Sequence, residues 1–306
     1  MAKIMDKNKK IIIVSVLSNG SLTLLKLLTG IFTGSISLLS EALHSFGDFI
    51  ASFIAFFSVV ESSKPADIKH QFGHGKYEDM AGFIEAILII ISALFILWAG
   101  FEKIISNEGN VEINTDFAIL IMVLSVVINF IVGKILLLKG READSSAILG
   151  DGHHLMADVY SSLAVILGLV AVKITNISIL DPVIAIAVAI MILKTGITLA
   201  SQTADSLLDS SLPKDDLNKI EEILESYKAH GIKGVKSVKT SKSGSVKNIV
   251  LVIYFPCLMT LKDTHALCDK IEFDLEHKLK NTNVVIHPEP DSSCVNKENC
   301  KLAQNS

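Results

Sequence analysis

Two stretches of this 306-residue chain carry the same chemistry at the same spacing. Glu41-x-x-His44-x-x-x-Asp48 is echoed by Asp151-x-x-His154-x-x-x-Asp158. Side chains four apart on a helix share one face, so His44 with Asp48, and His154 with Asp158, each form a two-ligand half-site. Joined, the halves offer two imidazole nitrogens and two carboxylate oxygens, a set that suits four-coordinate, tetrahedral Zn2+. The donor set alone leaves Fe2+, Co2+ and Mn2+ open. Glu41 and Asp151 precede the histidines by three positions. Either they orient the imidazole by accepting its second N–H, or they lie near a membrane surface and attract cations. His153 points about 100° away from His154 on a helix and reads as a bystander.

A second cluster, Asp67-x-x-His70-x-x-x-His74, lies in a polar stretch rich in glycine. Those three groups could clasp an ion from one loop, because Gly73 and Gly75 let the backbone bend toward it. Further on, His265, His287 and Glu289 are the candidates for a third, regulatory metal site. Cys257, Cys268, Cys294 and Cys300 add thiols without the tight CxxC spacing of a zinc ribbon. No organic cofactor is expected.

What must position these groups is a set of membrane helices. Half of the chain is hydrophobic, mean hydropathy is +0.51, and the apolar residues crowd into the first two-thirds. Runs of about 20 apolar residues, the length that crosses the hydrocarbon layer as helix, occur near 11–31, 38–60, 80–103, 115–138, 148–173 and 181–203. The basic head before the first run resembles a signal peptide, but no small-residue cleavage site follows it, so it is read as a retained helix. Ionisable groups inside such spans cost several kcal/mol and by default mark an ion path. The alternative is a structural polar cluster joining two helices. A net charge of −4 without a uniform basic face excludes nucleic acid as the expected partner.

Six spans place both termini on one side. Lys64, Lys69, Lys76, Lys139 and Arg141 fall in the loops sharing that side, and the opposite loops hold almost no Lys or Arg. The positive-inside rule therefore predicts cytoplasmic termini and reduced cysteines. A six-helix domain over 1–205 is expected, then a small domain over 206–290 and a polar tail over 291–306. In the small domain, periodicity predicts a helix from Pro213 to about Ala229, strands at Val235–Thr240 and Ile249–Phe255 around a turn at Ser241–Ser245, a helix near 261–280, and a strand at Val284–His287. That αββαβ order implies a sheet with helices on one face. The fold class is thus an α-helical membrane protein followed by an α+β domain.

Three motifs resemble one known family, the cation diffusion facilitators: the run from Gly34 to Asp48, the loop Asp67-Ile-Lys-His-Gln-Phe-Gly-His-Gly-Lys76, and His154-Leu-Met-Ala-Asp158. FGHGK is the most specific. The resemblance covers nearly the whole chain. It implies six spans, a cytoplasmic metallochaperone-like domain, and a homodimer that exports divalent metal in exchange for protons. Carried over by position, it implies His44, Asp48, His154 and Asp158 as the transport site and Asp67, His70 and His74 as a loop site. His at the first of the four transport positions resembles members selective for zinc over cadmium. Positions that hold histidines in zinc members are Lys236 and Val252 here, which leaves His265, His287 and Glu289.

The expected function is Zn2+/H+ antiport by alternating access across the plasma (inner) membrane, with Fe2+, Co2+, Mn2+ or Cd2+ as alternative cargo. The absence of an organelle-targeting segment and of a His-rich loop between spans four and five fits a prokaryotic membrane. A membrane metal sensor that binds without transport is the rival class. An enzyme is not expected, since catalytic zinc keeps an open water position and no extra base is apparent.

Overall fold

A computed structural model describes residues 2–33, 36–106, 116–175, 179–279 and 281–291. It divides into two compact units, Met1–Asp205 and Ser206–Ser306.

The first unit is built of six long helices: α1 (Ala2–Thr33), α2 (Ile36–Ser62), α3 (Lys76–Ser106), α4 (Asp116–Ala143), α5 (Ser146–Thr175) and α6 (Leu180–Leu207). Among the described residues, all but α5 contain a stretch long and apolar enough to cross a membrane. Helix α5 carries Asp151, His153, His154 and Asp158 in its first half. Leu17, Phe57, Phe95, Trp98 and Leu138 point outward. Apolar side chains outside and polar ones inside are what a lipid solvent selects.

Inside, α5 packs against α2, α3 and α4. Two glycines flanking Asp151 make these approaches possible. A Cβ on Gly150 would lie 3.0 Å from the Cβ of Glu85 on α3, and one on Gly152 would lie 3.1 Å from the Cβ of Leu136 on α4. Small residues at such crossings let helix backbones come close where no hydrophobic effect drives them together. The start of α5 is tied to α3 as well. Ser146 donates to Asp79 (2.7 Å), and Ser145 and Ser62 both donate to Glu78, the latter over 2.7 Å. These carboxylates face the N-terminal end of α5, where the helix dipole favours negative charge.

The second unit contains α7 (Lys214–Lys228), β1 (Gly234–Ser243), β2 (Val246–Phe255), α8 (Leu261–Lys278) and β3 (Thr282–Pro290). The sheet order is β1-β2-β3, with β1 antiparallel and β3 parallel to β2. A parallel neighbour requires a crossover, and α8 supplies it. Thr260 caps α8 by accepting the amide of Asp263. Alternate residues Ile249, Leu251, Ile253 and Phe255 of β2 turn to the core, where Ile220, Ile223 and Leu224 of α7 and Leu267, Ile271 and Leu275 of α8 cover them. The αββαβ order and the one-sided helices match the expectation. The strands run longer than their apolar cores because the ladder continues to Ser243↔Val246, across the two-residue turn at Gly244 and Ser245. Gly244 has φ +59°, as such a hairpin requires.

Asp216 in the first turn of α7 accepts from Lys247 of β2 (2.6 Å) and Lys219 (3.1 Å). Burial pushes its carboxyl up, but the two lysines outweigh burial and hold it below the usual carboxylate range. The folded-state value is therefore depressed, so the contribution is complete above about pH 4, the unfolded value, and is lost as pH falls through the folded one. Asp216→Ala is expected to destabilise this unit by about 1–3 kcal/mol at neutral pH, since the half-buried Lys247 loses its partner. Amide exchange of α7 in the full chain measures this, and the gap from wild type should narrow in acid.

Candidate metal centre

Among the described residues, two groups of three His, Cys, Asp or Glu side chains bring ligand atoms within 4.8 Å of one another: Asp48, His154 and Asp158, and Asp67, His70 and His74.

The first lies inside the helical unit. His154 is about 12 Å along α5 from Ser146, and Asp48 is about 20 Å along α2 from Ser62, so the cluster sits well inside the spans. Nε2 of His154 is 3.2 Å from Oδ1 of Asp48. Both residues are buried and Asp158 is half-buried. His44 and Glu41 fall on α2, but their side chains lie outside the described residues. The structure thus brings three of the four expected transport ligands together, from two helices.

Around them is a polar lining that sequence spacing alone did not identify. Oδ1 of Asp151 accepts from Ser52 of α2 (2.6 Å), and Ser52 in turn accepts from Asn19 of α1 (2.6 Å) and lies 3.2 Å from the Ser15 hydroxyl. Asp151, one of the two carboxylates considered as orienting groups, is therefore engaged with a hydroxyl. On α3, Glu85 is fully buried, with Oε2 3.9 Å from Nδ1 of His154. Lys26 of α1 is buried also, and its ammonium donates to Ser45 (2.8 Å), the neighbour of His44. The signal that could have found Glu85 and Lys26 is simple: each is an ionisable residue inside an apolar run.

The second cluster is built by the loop between α2 and α3. Oδ1 of Asp67 accepts the amides of Lys69 (2.8 Å) and His70 (2.6 Å), which folds the loop back on itself. Gly73, at φ +86°, completes the bend. Nε2 of His74 then lies 3.4 Å from Asp67 Oδ2, and Nδ1 of His70 lies 3.7 Å from Asp67 Oδ1. The ring of His74 stacks on Tyr77, centroids 6.0 Å apart. The His70 amide, opposed by burial and helped by the Lys69 amide and the two imidazoles, holds the Asp67 carboxyl below its ordinary range. It stays an anion, the form a metal would require of it, under mildly acid conditions.

The third set is not brought together within the chain. Helix α8 holds His265 against Asp269 (3.4 Å), whereas His287 and Glu289 lie on β3, 3.9 Å apart. Both oxygens of Glu289 accept from Lys236 (2.9 and 2.8 Å). The hydrogen bond to Glu289 raises the Lys236 ammonium above its usual value, so a fixed cation already engages the carboxylate expected to bind metal. Among the described residues, Cys257 and Cys268 are not in disulfides. Burial, with Glu272 and Asp269 nearby, pushes Cys268 up to about 11, which leaves it a poor metal ligand. Cys294 and Cys300 lie outside the described residues.

Residues 12–208 match the family model of the cation efflux transmembrane domain, and residues 212–291 that of the cation efflux protein cytoplasmic domain. The chain is 32% identical over 266 residues to transporter sll1263 of Synechocystis sp., a match covering 87% of this chain and 85% of that protein. It is 30% identical over 271 residues to the cation-efflux pump FieF of Serratia proteamaculans and to that of Yersinia pestis, covering 89% of each partner. A solved zinc-form structure of CzrB overlaps 27% of this chain and 93% of its own, at 23% identity and a TM-score of 0.26. Two matched domains in order and relatives aligned over most of their length leave one conclusion: this chain belongs to the cation diffusion facilitator family, whose members are multi-pass cation efflux transporters and not enzymes.

Proposed function

We propose that this transporter exports Zn2+ in exchange for protons, through a tetrahedral site of His44, Asp48, His154 and Asp158 that opens alternately to the two sides of the membrane. The observation that carries the reading is the buried meeting of His154, Asp48 and Asp158 from α2 and α5. Mixed imidazole and carboxylate donors favour zinc over ions that prefer all-oxygen sites. Two carboxylates left empty in lipid cost several kcal/mol. Metal and proton compete for the same lone pairs, so protons on those ligands compensate the empty site on its return.

The domain over 1–205 carries the ion in this reading, and the αββαβ domain over 206–290 joins two chains as a homodimer. The tail 291–306 falls outside the described residues except Asp291. Asp67, His70 and His74 form a second ion site on the cytoplasmic side. Lys64, Lys69, Lys76, Lys139 and Arg141 support an inner-membrane orientation with both termini in the cytoplasm.

The test is uptake of Zn2+, Cd2+, Fe2+ and Mn2+ into proteoliposomes under an imposed pH gradient. Zinc uptake is expected to rise when the vesicle interior is acidic and to collapse when a protonophore removes the gradient. Flux indifferent to the gradient would refute proton exchange. Iron or manganese flux without zinc flux would change the ion, and bound zinc without flux would make the protein a sensor.

A further inference from the structure

Glu85 has no exposed surface, and among the described residues neither of its carboxylate oxygens has a hydrogen-bond partner. It lies about 13 Å along α3 from Lys76, inside the span, where an unsatisfied carboxylate is costly. Nδ1 of His154, itself buried and without a hydrogen-bond partner among the described residues, lies 3.9 Å from Oε2. On the other side of the same ring, Nε2 faces Asp48 at 3.2 Å. One imidazole therefore stands between two carboxylates, one in the ligand cluster and one outside it.

That arrangement has a specific chemical use. A neutral imidazole carries its proton on one nitrogen and offers a lone pair on the other, and the hydrogen bond made by the first decides which nitrogen binds the ion. An acceptor behind the ring also fixes its rotation and makes the ligating nitrogen more basic. Glu85 and Asp48 lie within ion-pair range of His154 from α3 and α2, and Asp158 belongs to the same ligand cluster. Asp151, although closer in sequence, is drawn to Ser52. Gly150 keeps α3 close enough for the purpose, since any side chain there would press on Cβ and Cγ of Glu85. A shift of about 1 Å closes the Glu85–His154 gap to hydrogen-bond length.

We infer that Glu85 is a positioning residue of the transport site. Its carboxylate accepts the Nδ1–H of His154, so that Nε2 is presented to the ion beside Asp48 and Asp158. The inference rests on the proposed transport site and adds a partner from a third helix, α3.

The test is the zinc dissociation constant of the full-length detergent-solubilised protein, measured by chelator competition. His70→Ala and His74→Ala are present throughout, so that the loop cluster does not contribute. Glu85→Leu is expected to weaken zinc binding by about 10–100-fold, the cost of losing an outer partner of a ligating histidine. Glu85→Gln keeps a carbonyl acceptor and should recover much of that loss. The deciding arm is a double-mutant cycle. In a His154→Asp background there is no Nδ1–H to orient, and Glu85→Leu should change the affinity by less than about twofold. An equal loss in both backgrounds means that Glu85 acts on helix packing, which overturns the inference, as does a silent Glu85→Leu in the His154 protein. If His154→Ala leaves zinc affinity unchanged, the transport-site reading fails first and takes this inference with it. A loss in His154→Ala beside silent Glu85 variants overturns the inference alone.

Discussion

Asp158→Ala is expected to lower zinc flux into proteoliposomes by at least about 100-fold at subsaturating metal, because loss of an outer partner alone costs 10–100-fold and Asp158 belongs to the ligand cluster itself. The mutant leaves His154 and Asp48 in place, so residual binding with little flux is the expected pattern. Truncation does more than remove a donor. It leaves the imidazole and the remaining carboxylate in lipid with less to compensate them. The informative control is Asp67→Ala in the loop, which should lose a bound ion while flux persists. Wild-type flux in Asp158→Ala would place the ion path elsewhere. Loss of flux in Asp67→Ala equal to that in Asp158→Ala would make the loop part of the path.

Gly82→Ala should be nearly as damaging, although Gly82 touches no ion. A Cβ there would lie 2.8 Å from the backbone oxygen of Ser146, the first residue of α5, and 3.1 Å from its carbonyl carbon. A side chain can swing aside, but a helix backbone cannot, so α3 and α5 must part. Overpacking of this kind costs about 1–3 kcal/mol, more than the gain of up to about 1 kcal/mol from replacing a helical glycine by alanine. The displacement falls beside the Asp79–Ser146 bond and one turn from Glu85. A lower thermal midpoint in detergent and reduced flux are expected together. Gly47→Ala on α2 is the matched control, because its Cβ meets no atom of the described residues within 4 Å. It should leave the midpoint unchanged or slightly higher. Equal midpoints for Gly82→Ala and wild type would mean that the α3–α5 contact yields freely.

How much of this was legible beforehand depended on the range of the interaction. Helical spacing announces His154 with Asp158, because four residues on one helix need no knowledge of the fold. The loop cluster is legible for the same reason, its ligands lying within one short segment. The pairing of Asp151 with Ser52 spans 99 positions, and that of Lys236 with Glu289 spans 53. Neither can be read until helix packing or sheet order is known. Glu85 is visible as an acid in an apolar run, but its partner is not, since nothing in the local pattern of α3 points to His154. The grouping of His265 with His287 and Glu289 followed from residue type alone, and α8 directs His265 to Asp269 instead. Strand ends were underestimated because pairing across the Gly244–Ser245 turn, and not hydrophobicity, sets their length.

In the proposed transport site, the division of ligands between α2 and α5 has a mechanical consequence. Within each helix a single turn fixes the spacing of the two Cα atoms, so only side-chain rotation lets either half adjust to the ion. The freedom that remains is the angle and separation of the two rods. An ion grasped from both sides is then a removable rivet, and its radius sets how tightly the rods are drawn together. Discrimination among cations of equal charge becomes a question of leverage: a misfit of a few tenths of an ångström at the rivet is magnified along each rod to its ends.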